Sequence, residues 1–220
     1  MNATKSTFIN PFGVELDLEK GLMLQARNHL VRRASDMRGY YVNQAALERL
    51  ITEKRDPVHY EVFDVPVPEE CGHLMFCIST LQPGLIGEEC FMTKGHYHSV
   101  PNTAETYLCL RGEGYIVMKT AEGKFVSERM TRGRMVYVPP FWAHRSVNTA
   151  EREPLVSFCV YPAEAGHNYG DIKTGGFPQR VFQRNGKVTI ESTPTPLRLM
   201  TRSLRAAHKV CSLTFSTPQR

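Results

Sequence analysis

The stretch KGHYHSVPNTAETYLCLRGEGY, residues 94 to 115, holds two histidines one residue apart and a glutamate seven positions after the second. On an extended chain, residues two apart share a face, so His96 and His98 send their imidazoles to one side and Tyr97 to the other. The polar SVPNTA segment can return the chain and bring Glu105, at the start of the next strand, back to those imidazoles. A fourth group, His144 in MVYVPPFWAHRSVN, follows a strand and a Pro-Pro turn. Three imidazoles and one carboxylate suit a borderline divalent cation such as Fe, Mn, Ni, Co or Zn, and the lack of thiolates among them argues against a closed structural zinc site. His-x-His also arises by chance, and an isolated histidine is usually on the surface or hydrogen-bonded, which is the expectation for His29, His59, His73 and His208.

The elements that must position these groups are short. Proline and glycine divide the middle of the chain into segments rich in Val, Ile, Phe, Tyr and Thr: 60–67, 73–81, 105–112, 114–120, 124–130, 134–140, 145–150 and 154–162. AEGK (121–124) and RNGK (184–187) are turn signals, the second with the Asn-Gly pair that favours a tight hairpin. Residues 43–54, NQAALERLITEK, form the best helix candidate, with Ala46, Leu47, Leu50 and Ile51 on one stripe and Asn43 as cap. Many short strands joined by tight turns predict an all-β sandwich or barrel, whose interior is a natural ligand pocket.

Composition sets the outer bounds. A chain of 220 residues with 41% hydrophobic content predicts one main core. No signal-like or bilayer-length apolar run is present, so a cytoplasmic protein without membrane contact is expected. Cys71, Cys77, Cys90, Cys109, Cys159 and Cys211 include no Cys-x-x-Cys pair and are expected to be reduced. The net charge of +5 matches the bases that follow Glu191: Arg198, Arg202, Arg205, Lys209 and Arg220. A formally neutral body gives nucleic-acid binding no support.

GHYH with Glu105 and Gly112, followed by Gly133, Pro139, His144 and Asn148, resembles the two cupin motifs. Two departures are visible: a longer gap between His98 and Glu105 than the general pattern has, and Phe141 where that pattern has glycine. Both match a narrower group, the cupin-type glucose-6-phosphate isomerases, which the chain resembles over residues 11 to 190. PFGVELD, VRRASDMRGYY, DPVHYEVF, FMTKGHYH, YVPPFWAHRSVN and YPAEAGHNYG carry the likeness. The resemblance implies a cupin (double-stranded β-helix, jelly-roll) barrel with a few short helices, forming a homodimer. It also implies one divalent metal per subunit, Fe2+ first, held by His96, His98, Glu105 and His144, and a sugar phosphate as substrate.

Aldose-ketose isomerisation moves a hydrogen between C1 and C2 while the adjacent oxygens are held. Glu105 is the first choice for a proton shuttle through an enediolate. A direct hydride shift stays open because coordination lowers the basicity of that carboxylate. Tyr107, on the same side, can hydrogen-bond a substrate hydroxyl or pack in the barrel. Tyr60, Ser79, Thr93 and Gly95 match substrate-contacting positions of the family, and Tyr161, His167 and Tyr169 bunch polar aromatics after a strand. Strict alternation aims Thr93 away from His96, so its part requires a backbone contact or a bulge at Gly95. Lys94 has the parity to face the pocket, though solvation is its commoner fate, and Trp142 is expected to anchor the loop that carries His144. Rival readings are a sugar-phosphate-binding cupin without turnover, or another cupin enzyme such as a dioxygenase, sugar isomerase or epimerase. Residues 1–192 form the expected domain, and 193–220 a basic tail, helical or disordered, beyond the resemblance.

Overall fold

The computed structural model describes residues 6 to 192. In chain order its strands are β1 (Leu16–Asp17), β2 (Leu22–Met23), β3 (Asn28–Arg33), β4 (Val58–Asp64), β5 (Leu74–Leu81), β6 (Leu85–Ile86), β7 (Glu89–Cys90), β8 (Glu105–Arg111), β9 (Glu113–Lys119), β10 (Phe125–Thr131), β11 (Met135–Val138), β12 (Ala143–Asn148), β13 (Leu155–Pro162), β14 (Gln179–Arg184) and β15 (Lys187–Ser192). The helices are α1 (Gln44–Glu53) and α2 (Gly170–Gly175), with a 3-10 turn at Ala34–Met37. A six-stranded sheet runs β11-β8-β13-β5-β4-β3, a three-stranded one β10-β9-β12, and a four-stranded one β15-β14-β7-β6. The chain leaves the first sheet for the second between β8 and β9 and again between β11 and β12, as in a jelly roll.

Alternation along the strands explains where the cores lie. On β8, Glu105, Tyr107 and Cys109 are buried, and the intervening residues are less so. The inner core joins these to Ile116 and Met118 of β9 and to Cys77, Leu81 and Cys159 of β5 and β13. A smaller core on the other face of the six-stranded sheet packs Ile78 and Val156 against Met23, Val14 and Leu16. The N-terminal segment therefore covers the sheet's outer face, and β3 supplies its edge beside β4.

Every strand expected from residues 60 to 162 is present. Helix α1 starts where Asn43 accepts from the Ala46 N–H (2.9 Å), and Asn185 (φ 50°) with Gly186 (φ 74°) makes the tight turn between β14 and β15. Phe141 has φ 70° and is 63% exposed, which gives glycine in the general cupin pattern a physical reason: the backbone there is left-handed. Cys77, Cys90, Cys109 and Cys159 are free and buried, as expected. Cys71 departs from that expectation: it lies exposed in the loop after β4, where no apolar packing encloses it, and it is disulfide-bonded. Cys211, His208 and the expected basic tail lie outside the described residues. Within the described residues no helix is long and apolar enough to cross a membrane.

Candidate metal centre

His96, His98, Glu105 and His144 each turn one donor atom toward the others, and these atoms all lie within 4.8 Å of one another. The GHYH segment belongs to no continuous strand, because Gly95 takes φ 75° and breaks the extended run. An isolated antiparallel bridge holds the segment instead: the His96 N–H donates to the His144 carbonyl (3.1 Å) and the His144 N–H to the His96 carbonyl (3.0 Å). A second bridge, Tyr97 to Asn168, ties the loop after β13 to the other side of the same segment. Glu105 opens β8 and His144 is the second residue of β12, so facing sheets supply the ligands.

Hydrogen bonding decides which imidazole nitrogens carry protons. The Thr103 hydroxyl donates to the Val100 carbonyl (2.6 Å), so toward His98 Nδ1 (2.8 Å) it accepts. His98 therefore bears its proton on Nδ1, and the Nε2 lone pair faces Glu105 Oε2 at 3.2 Å. His144 repeats the pattern more loosely, with Nδ1 3.4 Å from the Trp142 carbonyl and Nε2 2.9 Å from the same carboxylate oxygen. That second contact lacks hydrogen-bonding geometry, since His144 Nε2 is buried without a partner, as is His96 Nε2. Lone pairs converging on a carboxylate in a dry site repel unless a proton or a cation lies among them. The donor set thus fits a divalent ion, with the proton-bearing nitrogens turned outward to protein carbonyl or hydroxyl groups, as metal-binding imidazoles usually are.

Burial alone would raise the pKa of Glu105, but the electrostatic influence of the surrounding imidazoles, His144 first and then His98 and His96, holds it below the usual carboxylate range. Burial, then His144 and His167, pushes His96 well down. Tyr107 is pushed well up, first by burial and then by Glu105, so its phenol stays protonated beside that carboxylate.

The other expected site residues fall into two groups. His167 lies 4.3 Å from His96 between ring centroids, Tyr161 6.2 Å from His98, and Tyr169 5.9 Å from His96 while stacked on His167. These three wall the metal cluster. Ser79 and Tyr60 are buried on the inward faces of β5 and β4. Thr93 is committed to β12: its Oγ1 accepts from the Ser146 N–H (3.0 Å) and its own N–H donates to the Ser146 carbonyl (2.9 Å). Gly95 sits where a Cβ would come within 2.8 Å of the His144 carbonyl and 2.7 Å of Phe177. Lys94 places its ammonium 5.5 Å over the Tyr40 ring. Sequence reasoning missed Thr103, the partner of His98, although a hydroxyl in the turn leading to a ligand strand was a usable signal.

The match to known proteins covers all of this. The family model described as Glucose-6-phosphate isomerase (GPI) matches residues 31–196. Proteins named Glucose-6-phosphate isomerase from Thermococcus litoralis and Pyrococcus furiosus are each 45% identical over 184 residues, 84% of this chain and 95% and 96% of theirs. A Rhizobium meliloti protein named Putative glucose-6-phosphate isomerase 2 is 36% identical over 183 residues, 83% of this chain and 91% of its own. The chain belongs to the glucose-6-phosphate isomerase family.

Proposed function

We propose that this protein interconverts glucose 6-phosphate and fructose 6-phosphate at the His96, His98, Glu105 and His144 cluster. The observation that carries this reading is the convergence of imidazole lone pairs on one buried carboxylate. A divalent ion held there supplies Lewis acidity toward the oxygens on C1 and C2 of the open-chain sugar. We take iron(II) as the resident ion, with manganese, nickel, cobalt and zinc able to fit the same oxygen and nitrogen donors.

The protein's own groups divide the remaining work. Glu105 is ionised and acts as the proton carrier between C1 and C2, with the Tyr107 phenol beside it to steady the carboxylate. The His98 and His144 contacts on Glu105 Oε2 lower its basicity, and this favours a direct hydride shift as the second reading. Tyr161, His167 and Tyr169 offer hydroxyl and imidazole partners to the sugar, and His167, its pKa lowered by burial, does so as a neutral ring. Tyr60, Ser79, Thr93 and Gly95 complete the substrate's surroundings, Thr93 and Gly95 through the backbone.

The working unit is a homodimer. Met135 and Tyr137 on the edge strand β11, with Phe141 beyond it, are 63%, 59% and 63% exposed, an apolar strip suited to a second copy. We place the enzyme in the cytoplasm, because a charged sugar phosphate does not cross a bilayer. His96→Ala and His144→Ala are each expected to lower metal occupancy measured by elemental analysis. Full occupancy in both variants would remove the pair from the ligand set.

A further inference from the structure

We infer that Cys77 and Cys159 form an oxidation site in the inner wall of the barrel, a thiol pair that closes to a disulfide one layer from the metal cluster. Cys77 of β5 and Cys159 of β13 are Cα partners in an antiparallel pair. Residues directly opposite in such a pair stand about 4.5 or 5.5 Å apart at Cα and project to the same face. Both separations fall within the range of about 4.4–6.8 Å that a disulfide spans. The two cysteines are free, buried and part of the inner core, so the face they share is the barrel interior.

Register sets the pair against the site. Cys159 is also the partner of Tyr107 on β8, so Cys77, Cys159 and Tyr107 make one row across three strands. Two residues further along the same faces of β13 and β8 stand Tyr161 and the metal-ligand candidate Glu105. The other free thiols among the described residues are placed differently. Cys109 turns its S–H toward the carbonyls of Arg111 (3.5 Å) and Gly112 (3.6 Å), and Cys90 lies on β7 in another sheet. On the side of the pair away from Glu105, Ser157 faces inward opposite Ser79 and has a buried hydroxyl without a hydrogen-bond partner. That hydroxyl is a donor free for an oxygen added to sulfur in the adjoining row.

Cys77 is 6% exposed and Cys159 2%, so Cys77 meets an entering oxidant first. A small neutral peroxide suits so enclosed a place. The Cys77 sulfur attacks one oxygen of hydrogen peroxide, the O–O bond breaks, and the thiol proton leaves with the other oxygen as water. Cys159 then attacks the sulfenic sulfur, the S–S bond forms, and the sulfenic hydroxyl leaves with the Cys159 proton as a second water. The two thiols lose two electrons and the peroxide gains them. Burial, then the adjoining Cys77, pushes the Cys159 thiol well up, so closure is slow beside that of an exposed reactive cysteine. Once formed, the bond draws the two side chains together and shifts the wall next to Tyr107 and Glu105.

Peptide mapping by mass spectrometry after mild hydrogen peroxide treatment tests the inference, on protein loaded with zinc because that ion has no redox chemistry of its own. Peptides joined through Cys77 and Cys159 are expected, with turnover falling about 10- to 100-fold, and dithiothreitol should reverse both changes. Cys77→Ala is expected to keep its turnover through the same treatment, and Cys159→Ala serves if the first variant does not fold. A folded wild type in which Cys77 and Cys159 stay unjoined under peroxide overturns the inference. A mapped disulfide that leaves turnover as it was overturns its effect on the site. The mapping decides the thiol pair even in a protein that turns over no glucose 6-phosphate, a result that would overturn only the isomerase reading.

Discussion

The site depends on residues that never meet the sugar. Thr103 fixes the tautomer of His98, because its hydroxyl hydrogen is already given to Val100 and only its lone pairs are left for the imidazole. Thr103→Val removes that acceptor while keeping the volume, and should weaken metal affinity by about 10- to 100-fold in competition with a chelator. Unchanged affinity would mean that the Thr103 carbonyl, 3.1 Å away, suffices. His59 shows a histidine put to structural use. Fully buried against Phe91, it meets the Tyr41 hydroxyl at 2.7 Å, and burial pulls its pKa from 6.5 down to about 3. Because the folded value is depressed, the neutral ring's contribution to stability is complete above about pH 6.5 and is lost as pH falls toward about 3. Over that window His59→Phe should flatten the pH dependence of stability, read from urea midpoints of the metal-free protein, by up to about 1.4 kcal/mol per pH unit. Parallel curves for the two proteins would show that folding leaves the His59 pKa where it is in the unfolded chain. That His96, His98, Glu105 and His144 would cluster was readable from type and spacing. Thr103 was legible only in part: its hydroxyl in the turn before β8 is visible in the sequence, while the proton it fixes on His98 appears only once neighbours are placed.

At the scale of elements, the segment carrying His96 and His98 is held by a two-residue bridge rather than by a strand. Gly95 lets the chain turn at φ 75° and pass close under the His144 carbonyl, so that His96 and His144 exchange both backbone hydrogen bonds. Gly95→Ala would strain the backbone and press a methyl against that carbonyl, Phe177 and Arg145. A loss of about 1–3 kcal/mol in denaturant unfolding is expected, with weaker metal binding in the same variant. A variant of wild-type stability would show that the bridge yields at no cost. The strands of the barrel were legible because half-buried sheet imposes a period of two, which β8 shows in Glu105, Tyr107 and Cys109. At GHYH strict alternation was already in difficulty over Thr93, and the break falls at Gly95, whose left-handed backbone interrupts the extended run. Strand β3 and helix α2 were missed for related reasons: NHLVRR is polar for a strand, and GDIKTG is too short to show helical periodicity.

Across the whole molecule, two sheets face each other and an N-terminal segment covers the outer face, leaving a neutral body with its charge excess beyond Glu191. Such a barrel hosts many reactions, so the fold alone would not have named this one. The long gap to Glu105 and Phe141 at a left-handed position pointed to the narrower family, and both are features of how this barrel closes around its site. The central claim is that the imidazole and carboxylate cluster works only with a divalent ion in place. It is tested most directly by stripping the protein with chelator, restoring single metals in the absence of oxygen, and following fructose 6-phosphate formed from glucose 6-phosphate. Turnover should vanish on stripping and return with iron(II) and with related divalent ions, without any need for oxygen. Undiminished turnover after complete metal removal, or none with any metal restored, would contradict it.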